Sequence, residues 1–278
     1  MRRIKGCLVA ALAVIAGVGL QGPLRAQTPT TAAPSTSGTL DHPSPERIQE
    51  IIRKFAAKEA EFRKARELYN YQQTVKIQTL EGRHVDGEYQ MVSDVTFGRD
   101  NKRIENVTYA PPSTLQRIQI TKEDLDDIIH LNPFVLTTED LEKYDIQYVG
   151  HEKLDEISAY HFSVKPKQMI GDERYFEGEI WVDDQDWQIV KTNGRPVFNI
   201  TKRTKDQRFP KFETYREQVD GKYWFPTYTM ADDVLDFPKG GSVHVREVVL
   251  YKNYRQFRSE TKITYGDAVE DKNKKKNP

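Results

Sequence analysis

The chain is short of cysteine, of long apolar runs and of net charge, and each shortage removes a class of function. Of 278 residues only Cys7 is a cysteine, and it lies in the N-terminal leader described below. A chain without that leader has no thiol, which excludes disulfides, thiolate metal sites, cysteine nucleophiles and redox pairs. The apolar run from Cys7 to Leu20 is 14 residues long, whereas a membrane-spanning helix needs about 20. Basic and acidic residues balance at 42 each, without the basic excess of a protein that binds nucleic acid through phosphates. There is no G-x-S-x-G elbow, no H-E-x-x-H, no phosphate-binding glycine loop and no dinucleotide fingerprint. Histidines stand at positions 42, 84, 130, 151, 161 and 244, none paired at helical metal-ligand spacing. We therefore expect no metal, no cofactor and no catalytic centre; a hydrolase with a site dispersed in sequence is the least favoured alternative.

What is present begins with an export signal. Arg2, Arg3 and Lys5 precede the apolar run, Gly22 and Pro23 break it, and Leu24-Arg25-Ala26 offers a cleavage site. Residues 1–26 read as a signal peptide, which places the mature chain in the periplasm in soluble form. Without Arg2, Arg3, Lys5 and Arg25 that chain has 38 basic against 42 acidic residues. Residues 27–45, mostly Thr, Pro, Ala and Ser, read as a disordered linker. Residues 266–278, with Lys272, Lys274, Lys275 and Lys276, read as a polar disordered tail. A single domain spans 46–265.

Ser44-Pro45 opens a helix whose stripe is Ile48, Ile51, Ile52, Phe55, Phe62 and Tyr69, with an end near Leu68. From there the periodicity is two. Asp86-Gly87 and Asp220-Gly221 read as two-residue hairpin turns, dividing 74–84 from 88–98 and 212–219 from 222–230. Further strands are expected at 103–109, 115–120, 144–153, 159–165, 175–182, 187–193, 242–256 and 258–265. Residues 121–143 interrupt this pattern: Thr121 and Asp124 form a capping box, Leu125, Ile128 and Ile129 give a helical stripe, and a second short helix begins near Thr138. The class is α+β, mainly β: an antiparallel sheet of about ten to twelve strands with a leading helix and a helical insertion.

Several strand faces are apolar beyond the needs of one helix. Tyr89, Met91, Val95 and Phe97 share a face, as do Ile146 and Tyr148, Tyr160, Phe162 and Val164, and Phe176, Ile180 and Val182. Either the sheet closes tightly or it leaves a cavity. Polar clusters have plainer readings: Asp183, Asp184 and Asp186 as a hairpin loop, and His151, Glu152 and His161 as solvent-face residues. The glycosylation patterns at Asn106 and Asn199 receive no role.

Three stretches carry a resemblance: 148–166, then Glu179-Ile180-Trp181-Val182-Asp183 with Gln188-Ile189-Val190-Lys191, then Gly221-Lys222-Tyr223-Trp224-Phe225-Pro226-Thr227. In this order they resemble the outer-membrane lipoprotein-sorting proteins of the LolA/LolB type, over roughly 46–265. The resemblance implies an unclosed antiparallel β-barrel wrapped around the long N-terminal helix, with the insertion as a lid over an acyl-chain cavity. On that plan Met91, Val95, Phe97, Leu125, Ile128, Ile129, Phe134, Ile146, Tyr148, Phe162 and Ile180 are the candidate lipid-binding residues of cavity and lid. It also implies an inward arginine holding the lid, for which Arg99 and Arg103 are candidates. The expected partners are lipid acyl chains or lipoproteins, with an inner- or outer-membrane protein as donor or acceptor, and the expected state is a monomer. Related domains act as protein-interaction or envelope-stress sensor modules without a lipid, and this is the alternative.

Overall fold

The computed structural model describes residues 43–98, 100–200, 208–238 and 240–257. The signal peptide 1–26, the linker 27–45 apart from its last three residues, Arg99, the expected strand 258–265 and the tail 266–278 lie outside the described residues. No described helix is long and apolar enough to cross a membrane.

Helix α1 (Pro45–Arg66) starts where Ser44 Oγ accepts from the Arg47 amide at 3.3 Å, with Pro45 in the first turn. Glu46 in its first turn and Arg63, Lys64 and Arg66 in its last suit the helix dipole. Its buried stripe includes Ile51, Ile52, Phe55, Ala56 and Phe62, with Glu59 among them. Ten antiparallel strands follow: β1 (Tyr69–Glu81), β2 (His84–Phe97), β3 (Arg103–Tyr109), β4 (Tyr144–Leu154), β5 (Ile157–Pro166), β6 (Tyr175–Asp183), β7 (Ile189–Val197), β8 (Phe212–Gln218), β9 (Trp224–Phe237) and β10 (Gly241–Gln256). Helix α2 (Lys122–His130) lies between β3 and β4.

The order across the single sheet is β3-β2-β1-β10-β9-β8-β7-β6-β5-β4. Pairing of β1 with β10 joins the two ends of the domain in the middle of the sheet, and among the described residues β3 and β4 remain as unpaired edges. The segment 110–143, which carries α2, therefore runs from one edge to the other. Registers place Met91, Val75, Val249, Thr229, Thr214, Thr192, Ile180, Phe162 and Tyr148 opposite one another in turn, a continuous row along one face. Both helices pack on this inner face: Phe55 meets the Phe162 ring at 5.5 Å, and Ile128 joins Val75 and Val249.

Four local expectations are corrected. The first hairpin turns at Gly82-Arg83, with Glu81 opposite His84 and Gly82 at φ +60°, the positive angle that a glycine in the first turn position supplies. Asp86-Gly87 instead lies within β2, where a Cβ on Gly87 would come 2.9 Å from Thr79 Oγ1 and 3.0 Å from Leu115 Cα. That glycine admits the crossing chain, whose Thr114 amide donates to Glu88 O at 2.9 Å. The Asp220-Gly221 turn is a wider loop, 219–223, in which Asp220 Oδ1 accepts from the amides of Lys222 and Tyr223, each at 3.0 Å. Residues 115–120 form no strand, following Pro111-Pro112, which bring no amide donors. The expected helix near Thr138 is a pair of turns, Asp140 to Thr137 and Lys143 to Asp140. In addition, the outer face carries its own apolar cluster of Ile157, Ala159, Trp181, Val190 and Trp224.

These contacts predict that Gly87→Val lowers the thermal midpoint more than Gly82→Val. The first presses on the backbone of Thr114 and Leu115, whereas the second meets open space and strains only its own φ, a cost of about 1–2 kcal/mol. Thermal melts of the two variants check the order.

Candidate functional site

The inner face has a polar centre. Glu59, in the apolar stripe of α1, and Arg216, on β8, are both buried, and Arg216 Nη1 donates to both carboxylate oxygens at 3.1 Å. The Ile189 amide donates to Glu59 Oε1 at 3.0 Å. Burial pushes the Glu59 carboxyl upward, and the guanidinium with that amide pulls it back. Arg216 Nη2 then donates to the carbonyl of Phe134 in the insertion. One residue along the inner face of β8, Thr214 Oγ1 donates to Asn132 O at 2.7 Å and accepts from Thr229 Oγ1 at 2.7 Å. Asn132 Nδ2 donates to Glu247 Oε1 of β10 at 2.6 Å, and Arg174 pairs with Asp127 of α2. The insertion is thus fastened across the sheet by directional bonds from β8, β10 and the loop before β6.

Two cavities flank the insertion. Cavity 1, about 350 Å³, lies between α2 and the β1-β10-β9 part of the sheet; Ile77, Ile128, Leu235, Phe237 and Val245 give its apolar wall, and Asp127 and Glu247 its acidic side. Cavity 2, about 260 Å³, is walled by Phe62, Tyr71, Phe225, Tyr251 and Tyr254, with Arg66 and Arg103 beside them. Ile128 lines the first and Ile129 the second, so successive residues of α2 separate them. Burial pushes the Glu247 carboxyl up to about 7 against the pull of Asn132, and burial likewise takes Asp127 to about 7 against Arg174.

The candidate residues fall into three groups. Ile128 lines cavity 1, with Met91 and Leu125 packed in the same cluster. Phe97 and Ile129 line cavity 2. Phe134, Phe162 and Ile180 are buried with Ile51 and Phe55 of α1, and Ile146 and Tyr148 pack against them. Val95 is buried on β2, on the face of Met91. Of the two arginines expected to hold the insertion, Arg99 lies outside the described residues, and Arg103 bonds Glu105 Oε2 and Gln73 Oε1, both at 2.8 Å. The arginines that reach the insertion are Arg216, at Phe134 O, Arg174, at Asp127, and Arg63 of α1, at Glu139. The partner of Arg216 carries a signal in the sequence, absent from the candidate residues: Glu59 continues the apolar spacing of Ile52, Phe55 and Phe62, so a carboxylate stands where a core residue is expected.

Two clusters with a catalytic look have other roles. Ser158 Oγ and Asp184 Oδ2 both meet His151 Nε2, at 3.1 and 3.0 Å. A relay needs the carboxylate on one ring nitrogen and the hydroxyl on the other, so this group is a surface contact. Asp183 Oδ1 accepts from the amides of Gln185 and Asp186 at 2.9 and 2.5 Å, which builds the β6–β7 turn. Among the described residues no group of His, Cys, Asp or Glu is arranged to hold a metal ion.

No protein-family model matches the chain, and no curated protein matches it. It is similar to three solved structures. A DUF1329 family protein from Desulfovibrio piger ATCC 29098 is 16% identical over 77% of this chain and 94% of that one, with a TM-score of 0.39. A LolA superfamily protein from Nitrosomonas europaea is 16% identical over 74% and 92%, at 0.32. MucB is 11% identical over 76% and 95%, at 0.27. The strand order and the cavities of this chain carry the functional reading on their own.

The raised Glu247 carboxyl sets a pH dependence. Its folded value of about 7 exceeds the ordinary 4.5, so between those limits the folded state keeps a proton that the unfolded state has lost. Stability therefore falls as pH rises from about 4.5 to about 7 and levels above that, with Asp127 acting in the same sense. Glu247→Gln removes a share of about 3 kcal/mol. Denaturation at pH 5 and pH 8 checks this: the variant should gain on the wild type at the higher pH.

Proposed function

We propose that the protein is a periplasmic carrier that shields acyl chains beneath its insertion, with outer-membrane lipoprotein sorting as the process it serves. The observation that supports this is the pair of apolar-walled cavities under a segment that spans an open sheet from edge to edge. Burying a methylene is worth about 0.8 kcal/mol, so a chain of about 16 carbons gains on the order of 10 kcal/mol before association costs. Ligand pockets commonly hold about 300–1,000 Å³; cavity 1 is at the small end of that range and cavity 2 falls below it. A long chain needs both, which requires α2 to lift from the sheet. The fastenings that must yield are Asn132 to Glu247, Thr214 to Asn132, Arg216 to Phe134 and Arg174 to Asp127, with the packing of Ile128 on Val75 and Val249. Residues 1–26 supply the route to the periplasm, and a membrane protein would supply or accept the cargo.

A second reading, a module that pairs with another protein chain, is favoured by the edge strand β3. Ile104, Val107 and Tyr109 are each about half exposed there, beside unpaired backbone groups.

Delipidated protein should bind a fluorescent acyl probe with a dissociation constant of about 10 µM or tighter. Val245→Trp, which fills cavity 1, should weaken that binding at least about ten-fold, roughly 1.4 kcal/mol, and keep a cooperative melt. A wild type that binds no probe, with no lipid in organic extracts of native protein, removes the carrier reading in favour of the β3 module.

A further inference from the structure

Cavity 1 carries charges of both signs, Arg117 and Arg208 with Asp124, Asp127 and Glu247, whereas two arginines stand against the one carboxylate of Glu67 on the wall of cavity 2. Arg66, in the last turn of α1, lines it and has no hydrogen-bond or ion-pair partner among the described residues. The other charged or titratable groups on its wall are Arg103, Glu67 and His130, with the phenols Tyr71, Tyr251 and Tyr254. Arg103 is engaged by Glu105 and Gln73. Glu67 caps α1, and its carboxylate forms no ion pair with Arg66. His130 Nδ1 lies 2.9 Å from Asp126 O, which leaves its other nitrogen as the free position. Arg66 also borders a cleft of about 210 Å³ whose carboxylates are in use: Asp140 accepts from Thr137 Oγ1 at 2.7 Å, and Glu173 accepts from the Tyr175 hydroxyl at 2.9 Å.

A guanidinium keeps its proton in a protein. Arg66 is partly buried, and burial opposes its charge and pushes its pKa down, so a partly desolvated cation without a hydrogen-bond or ion-pair partner among the described residues gains from an anion brought by a ligand. We propose that cavity 2 is a head-group site that takes the carboxylate of a fatty acid or similar amphiphilic acid, held in a bidentate contact by Arg66. The proposal rests on the carrier reading and names the ligand class. One free guanidinium matches one planar carboxylate; a doubly charged phosphate would find a single unengaged arginine and the Glu67 carboxylate nearby. The aromatic wall of Phe62, Tyr71 and Phe225 then receives the first methylenes of the chain.

The test compares dodecanoate, dodecanol and dodecyltrimethylammonium as displacers of the acyl probe from the full mature chain, each below its aggregation concentration. The wild type should prefer dodecanoate to dodecanol by at least about ten-fold and bind the cationic amphiphile most weakly. Arg66→Gln should abolish the preference by weakening dodecanoate alone, and Arg66→Lys should keep part of it; melts of both variants show that they are folded. Equal affinity of the wild type for acid and alcohol, or an unchanged preference in Arg66→Gln, overturns the head-group site and leaves the carrier reading standing. Failure of both acid and alcohol to displace or bind overturns the two together.

Discussion

The buried pair of Glu59 and Arg216 is the constraint on which the rest of the structure depends. An ion pair taken out of water costs several kcal/mol per ion, and mutual attraction compensates only when the remaining donors and acceptors are also used. Here most of them are used structurally, with the Arg216 Nε left unpartnered among the described residues. Glu59 takes the amide of Ile189 at the start of β7, and Arg216 gives its second nitrogen to Phe134 O. One pair thus sets the rotation of α1, its height over β8 and the position of the insertion. Removing either partner strands a charge in a dry interior, a cost of about 3–5 kcal/mol. The ring of Phe62, 5.0 Å from the guanidinium carbon, adds a cation–π contact.

The polar centre explains why the inner face is neither closed nor open. A sheet lined only with Val, Ile and Phe would draw the insertion into a continuous core. The row across the sheet instead passes through Thr229, Thr214 and Thr192 at its middle, and the Thr214 hydroxyl, backed by that of Thr229, holds Asn132 at a fixed spot. Apolar packing then develops on two sides, the α1–β5–β6 cluster and the α2–β1–β10 cluster, with cavities left where neither reaches. Hydrogen bonds of this kind contribute about 0.5–1.5 kcal/mol each, more where a charge takes part. A few of them form a fastening that a ligand's apolar burial can outweigh.

Much of the strand arrangement was legible because period-two alternation is local: 103–109, 144–153, 175–182 and 242–256 lie within a residue or two of β3, β4, β6 and β10. The capping box at Thr121 and Asp124 formed as its residues imply, with both bonds present. The misreadings share a cause. Gly87 follows an aspartate and resembles a turn, yet its lack of a side chain serves a chain segment about 27 residues later, which no local pattern announces. Arg216 alternates inward with Phe212 and Thr214, but only α1, far away in sequence, makes a buried arginine tolerable there. The candidate cavity residues were chosen as inward and apolar. That property does not distinguish Phe162, packed on Phe55, from Ile128, which borders empty space.

The central claim is that the Glu59–Arg216 pair couples the leading helix to the insertion. Hydrogen exchange on the Glu59→Gln/Arg216→Met double variant tests it, since this variant loses the bond to Phe134 without leaving a lone buried charge. The account predicts faster exchange at the amides between Leu125 and Leu136, with β1, β2 and β10 still protected. Unchanged protection in that segment, or an equal loss across the whole sheet, would contradict it.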